Sequence, residues 1–208
     1  MKTTRVSNLV SVMMLIVAIS FSSATSAQDV EKLKSADEVI WFGLDFTKAK
    51  MIGSTDAGFS NPDAIVNNFF GAWNHLILNE PKKYNLAGAL SKSIKNDIKT
   101  VEKRNAEVAV EGLVTYDINK LTEADLKEYV AQYSAEGEGV GLLFAIENFD
   151  KTAKKVRLYA VFFDVQSHEI IKTQYYQQNA TGGFGFRNYW ASGIYQVIKK
   201  MKKDYPTW

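Results

Sequence analysis

The chain of 208 residues contains no cysteine, three prolines and two histidines. Without cysteine there is no disulfide, and no thiol behind an export signal to carry a lipid, so a disulfide scaffold and a lipoprotein are both excluded. A zinc site built on His75 and His168 would have to borrow carboxylates from distant segments, because the two histidines fall on a helix face and in a hairpin turn. No metal and no cofactor is therefore expected. No Gly-x-Ser-x-Gly elbow occurs, and Ser192 falls inside a predicted helix, which argues against serine catalysis. Neither a P-loop nor a dinucleotide-binding glycine fingerprint is present. Beyond residue 21 no apolar run approaches the ~20 residues that a membrane-spanning helix needs.

The first 27 residues explain the one apolar run that does occur. Lys2 and Arg5 provide a positive start, Leu9 to Phe21 is almost wholly apolar, and Ser22 to Ala27 are small, with Thr25 and Ala27 suited to the pockets of a signal peptidase. The expectation is a signal peptide over 1–27, cleaved near Ala27. It leaves a single α/β domain over 28–208, periplasmic or secreted, with no stable membrane anchor. Removing Lys2 and Arg5 from the 25 basic residues leaves 23, equal to the 23 acidic ones. A neutral chain lacks the basic face that displaces counterions from phosphates, so no nucleic-acid partner is expected. The local excess at Lys199, Lys200, Lys202 and Lys203 lies where a helix end favours cations.

Along the remaining chain the hydrophobic period alternates between strand and helix. Glu38 to Phe46 is apolar on both faces and reads as a central strand. Asn61-Pro62-Asp63 has the residues of a helix start, followed by Ile65, Phe69, Trp73 and Leu76 at helical spacing and closed by Pro81. Residues 84–118 admit two readings, a helix over Leu90 to Val101 or a short edge strand at 93–98 before a helix at 99–107. Thr122 to Asp125 resembles a capping box for a helix carrying Leu126, Tyr129, Val130 and Tyr133. Three strands follow, Val140 to Asn148, Val156 to Asp164 and Glu169 to Asn179, joined by turns that Asp150 and Asp164 open. Trp190, Ile194, Val197, Ile198 and Met201 mark a final helix. Strands buried on both faces need helices on both sides, so the expected fold is a three-layer α/β/α sandwich with a mixed sheet, including a C-terminal antiparallel three-strand meander.

The most unusual segment is Thr181 to Trp190. Gly182, Gly183 and Gly185 precede the last helix, where backbone N–H groups can converge on an anion, and Arg187 with Asn188 can complete such a site. The competing reading is a tight strand-to-helix turn in which Phe184 and Phe186 pin the helix to the sheet. Asp45 and Asp164, each ending a strand, are the candidate acidic pair if both reach the carboxyl edge of the sheet.

Asp45 to Lys50 after an aromatic strand, Glu102 to Asn105, and Gly182 to Trp190 together resemble an uncharacterised family of small exported proteins from Bacteroidetes. The order of elements is more distantly similar to the α/β domain of the TolB amino-terminal region and of curli-assembly lipoproteins. Neither resemblance implies a catalytic residue, and the missing cysteine departs from the lipoprotein pattern. Two functions are expected. One is a non-catalytic binding or envelope-assembly accessory protein with an envelope protein as partner. The other is a small-molecule binding protein or hydrolase, for an anion or a glycan-derived ligand, with its site at the Gly182–Tyr189 turn.

Overall fold

In the computed structural model, which describes residues 27–56 and 58–208, one seven-stranded sheet organises the chain. The expected signal peptide lies outside the described residues apart from Ala27, where the first helix, α1 (Ala27–Ser35), begins. The first strand, β1 (Glu38–Asp45), is buried along all but its first residue. It is followed after a four-residue break by β2 (Lys50–Ile52). Both lie parallel to the same edge of β5 (Val140–Asp150), β1 against Val140–Ala145 and β2 against Asn148–Asp150. In effect they are one strand interrupted where β5 itself shifts register between Ile146 and Asn148. Outside them run β3 (Ser93–Asn96), parallel to β1, and β4 (Val114–Thr115), parallel to β2. On the other side of β5 the chain turns back as β6 (Lys155–Asp164) and β7 (Ile170–Asn179), both antiparallel to their neighbours. The mixed sheet and its C-terminal meander follow the sequence reading.

The helical layer on one face is the thicker. Asn61 caps α2 (Pro62–Ala64), which passes through a π turn (Ile65–Phe69) into α3 (Phe70–Asn79). This is the helix that Asn61-Pro62-Asp63 announced, because the Asn61 side chain accepts from the Ala64 N–H at 2.9 Å and Pro62 has no N–H to lose. With α4 (Leu86–Leu90), α5 (Lys99–Ala106) and α7 (Gly185–Asp204) it covers an aromatic core. There the Phe149 ring meets Trp73 at 5.1 Å and Trp190 at 5.0 Å, and Phe46 stacks on Phe70 at 4.2 Å. Of the two readings of residues 84–118, the edge strand followed by a helix is the one realised. On the opposite face α1 and α6 (Glu123–Val130) lie over the sheet, with Phe42 packed between Tyr133 and Phe163. The capping box expected at Thr122 is formed, Thr122 and Asp125 each bonding the other's backbone N–H. Gly43 has φ +104, and a Cβ there would lie 2.5 Å from Asn74 Oδ1, so only glycine lets α3 approach β1 this closely.

Candidate functional site

Strand β6 begins at a turn over 151–154 that brings Lys151 and Lys154 beside the segment leaving β7. Asp150 organises the turn, accepting from the Ala153 N–H at 2.8 Å while its other oxygen accepts from Arg157 Nη1 at 2.8 Å. Its charge is therefore already engaged. Between this turn and residues 179–183 opens a cleft of about 740 Å³, lined by Lys151, Lys154, Asn179, Thr181, Gly182, Gly183 and Tyr189 among others. Lys151 Nζ sits 4.9 Å from the centre of the Tyr189 ring. Burial pushes the Tyr189 hydroxyl up from its ordinary pKa, which keeps the phenol neutral beside the two cations. Among the described residues no acid lines this cleft, so its electrostatic character is set by two lysine side chains.

The predicted site residues divide between this cleft and the helix beside it. Gly182 and Gly183 line the cleft, whereas Gly185, Arg187 and Asn188 fall in the first turn of α7 and do not. Of the three glycines expected to offer N–H groups to an anion, Gly182 instead donates to Ser192 Oγ at 3.2 Å, beside the Thr181 N–H at 3.1 Å. Ser192 Oγ in turn donates to the Tyr189 carbonyl at 2.7 Å. Arg187 points elsewhere, with Nε donating to Asn188 Oδ1 at 3.3 Å and its carbonyl accepting from Trp73 Nε1 at 2.9 Å. Gly183, at φ +94, is the position the turn cannot change: a Cβ would stand 2.4 Å from the Asn188 carbonyl oxygen. The two aromatics of the segment also part. Phe186 packs among Phe59, Phe69 and Trp73, as a pin should, but Phe184 is 99% exposed and pins nothing. Lys151 and Lys154 carry no signal in the sequence, because two lysines in a polar turn form no local pattern.

The acidic pair is not assembled. Asp45 ends β1 opposite Ala145, whereas Asp164 ends the antiparallel β6 opposite Val140, which also pairs with Val39 near the start of β1. Along β5 they are five residues apart, Asp164 level with the strand's start and Asp45 with its middle. Asp45 is wholly buried in the break between β1 and β2, and every contact it makes is structural. Its Oδ1 accepts from the Thr47 N–H at 2.8 Å and hydroxyl at 2.7 Å. Its Oδ2 accepts from Arg104 Nε at 3.0 Å and Tyr133 OH at 2.6 Å. Asparagine side chains serve the strand's loose backbone groups. Asn74 accepts from the Leu44 N–H at 2.7 Å, Asn105 accepts from the Phe46 N–H at 2.8 Å, and Asn119 donates to the Lys48 carbonyl at 3.1 Å. Burial, reinforced by the Asp45 charge, drives the Tyr133 hydroxyl well above its ordinary pKa, so it remains a donor.

A second cavity, about 930 Å³, runs between α1 and α6 over the start of β7. Its lining carries both signs, and most of the charges are satisfied among themselves. Lys32 pairs with Asp164, and Lys127 pairs with Glu123 at 2.7 Å. Partial burial opposes ionisation of Asp164, but the Lys32 ammonium and the N–H groups of Ser167 and Gln166 outweigh it and hold the carboxyl down to about 2. His75 lies on the exposed side of α3 with Nε2 2.8 Å from Glu102, and His168 sits in the β6–β7 turn, so the histidines stand far apart in the fold. Among the described residues no group of three or more His, Cys, Asp or Glu is placed to hold a metal ion. No helix among them is long and apolar enough to cross a membrane. Neither family models nor curated proteins nor solved structures give a match to this chain.

Proposed function

We propose that this chain is an exported, non-catalytic binding protein that takes a small anionic ligand in the cleft between the 151–154 turn and residues 179–183. The observation that carries this reading is the lining itself: Lys151 and Lys154 are its charged residues, and among the described residues no carboxylate lines it with them. A volume of about 740 Å³ suits a ligand of sugar-phosphate or nucleotide size. The Thr181 hydroxyl, the Asn179 amide and the Tyr189 ring add polar and stacking contacts to the same walls. A hydrolytic version of the site called for Arg187 and a carboxylate at this turn, and the lining contains neither. Export rests on the residue order of 1–27.

A protein partner in the cell envelope is the second reading, favoured by Phe184. Its ring, 99% exposed, stands next to the cleft wall at Gly183, and an aromatic so placed is an anchor for a docking surface. The resemblance to exported Bacteroidetes proteins and to the TolB and curli-assembly layout supports the same envelope setting. Thermal-shift measurements with inorganic phosphate, pyrophosphate, sugar phosphates, neutral sugars and nucleotides test the leading reading. Anions should raise the melting temperature of the wild type at low ionic strength but not that of Lys151→Ala/Lys154→Ala, and neutral sugars should do nothing. Stabilisation by none of the anions sinks it.

A further inference from the structure

The two edges of the sheet are finished differently. On one side the edge consists of β3, four residues carrying Lys95 and preceded by Lys92, and of β4, two residues long. Short strands and lysines are the usual devices that prevent edge pairing. The other edge is β7, ten residues long, which among the described strands is bonded to β6 alone. It contains no proline and one charge, Lys172, whose ammonium is drawn 5.7 Å above the Trp208 ring on the α7 face of the sheet. We propose that β7 is a self-association surface, at which a second copy of this chain adds its own β7 antiparallel and joins the two sheets.

The register with β6 fixes which backbone groups are available. The Ala180 N–H donates to the Lys154 carbonyl at 2.9 Å, and the pairs Val156↔Gln178, Leu158↔Tyr176 and Ala160↔Gln174 continue the same alternation. The even-numbered residues of β7 therefore bond inward, and Thr173, Tyr175, Gln177 and Asn179 turn their N–H and C=O groups outward. A two-fold axis at Tyr175 sets Tyr175 against Tyr175, Thr173 against Gln177, and Lys172 against Gln178 of the second copy. No like charges meet. Tyr175 is 40% exposed and already packs on Tyr159 at 4.9 Å, so the pairing extends that aromatic row across the joint. About the axis at Tyr175 the two strands overlap over residues 171–179, about 30 Å of edge, which places the interface at the small end of stable contacts and makes the dimer concentration-dependent.

The mass of the full chain, measured by light scattering across about 1 to 300 µM, tests this directly, because an interface of this size associates in that range. The expected result is a rise from one copy to two. Thr173→Glu/Gln177→Glu puts two like-charged pairs across the two-fold axis and should weaken association at least about tenfold. Thr173→Lys/Gln177→Glu makes the same positions complementary and should restore it, while circular dichroism confirms that both variants fold. A wild type that stays monomeric throughout overturns the proposal. So does a dimer that both variants leave unchanged, or one that the complementary variant fails to restore.

Discussion

Replacing Asp45 by asparagine tests whether the buried carboxylate holds the broken central strand together. The substitution keeps the shape and keeps an oxygen for Thr47. At the other position it sets an amide N–H against two donors, Arg104 Nε and Tyr133 OH, which now reach Oδ2 at 3.0 and 2.6 Å. It also leaves the Arg104 guanidinium, whose side chain is 22% exposed, without its counter-charge. Removing one member of a buried ion pair costs roughly 3–5 kcal/mol, and the partial exposure of Arg104 places this case near about 3. At ~2–4 °C per kcal/mol for a chain of this size, the melting temperature should fall by about 6–12 °C. Urea unfolding followed by tryptophan fluorescence gives the free energy independently, since Trp41, Trp73 and Trp190 are all buried in the core. Arg104→Met should cost at least as much, because it strands the carboxylate instead. A loss below about 1 kcal/mol for either variant would refute the claim that this cluster secures the break, since a pair worth so little belongs to an exposed surface.

Two further outcomes follow from local geometry. Gly183→Ala should destabilise by more than about 2 kcal/mol, since it combines left-handed backbone strain with a Cβ 2.4 Å from the Asn188 carbonyl oxygen, whereas Gly182→Ala, with nothing within 4 Å, should be close to neutral in the same unfolding assay. The Asp164 carboxyl is depressed from 3.8 to about 2 in the folded state, so its contribution is fully present above pH 4 and is lost as pH falls through about 2. Asp164→Asn should remove about 1–2 kcal/mol at pH 7, the exposed Lys32 limiting the figure, and should flatten the acid limb of the stability profile between pH 4 and 2.

Much of the fold was legible because it is written in periodicity. The apolar run at Glu38, the helical stripes at Ile65 to Leu76 and Trp190 to Met201, the Thr122 box and the two Asp turns are local signals, and each became the element it announced. The break between β1 and β2 was not legible. It is sustained by Asn74, Asn105 and Asn119, which bond backbone groups 30 to 71 positions away, and asparagines in a sequence otherwise read as loops or caps. The acidic pair failed for a topological reason: both aspartates end strands, but the strands run in opposite directions. At the 181–190 segment the glycines do make a tight turn before α7, but one of the expected N–H groups has a partner within the chain. Ser192, eleven residues beyond Thr181 and one α7 turn past Asn188, takes the N–H groups of Thr181 and Gly182. The lysines that line the cleft come from a turn about thirty residues earlier in the chain. Only the β5–β6 and β6–β7 registers bring that turn to the glycines.

Calorimetric titration of pyrophosphate into the wild type, Lys151→Ala/Lys154→Ala and Arg187→Ala at low ionic strength tests the assignment of the cleft most directly. Loss of two charge-assisted contacts, discounted for solvent exposure, should weaken binding by at least about tenfold in the lysine variant, and Arg187→Ala should bind as the wild type does. Binding that survives loss of both lysines, or that disappears with Arg187, would contradict it.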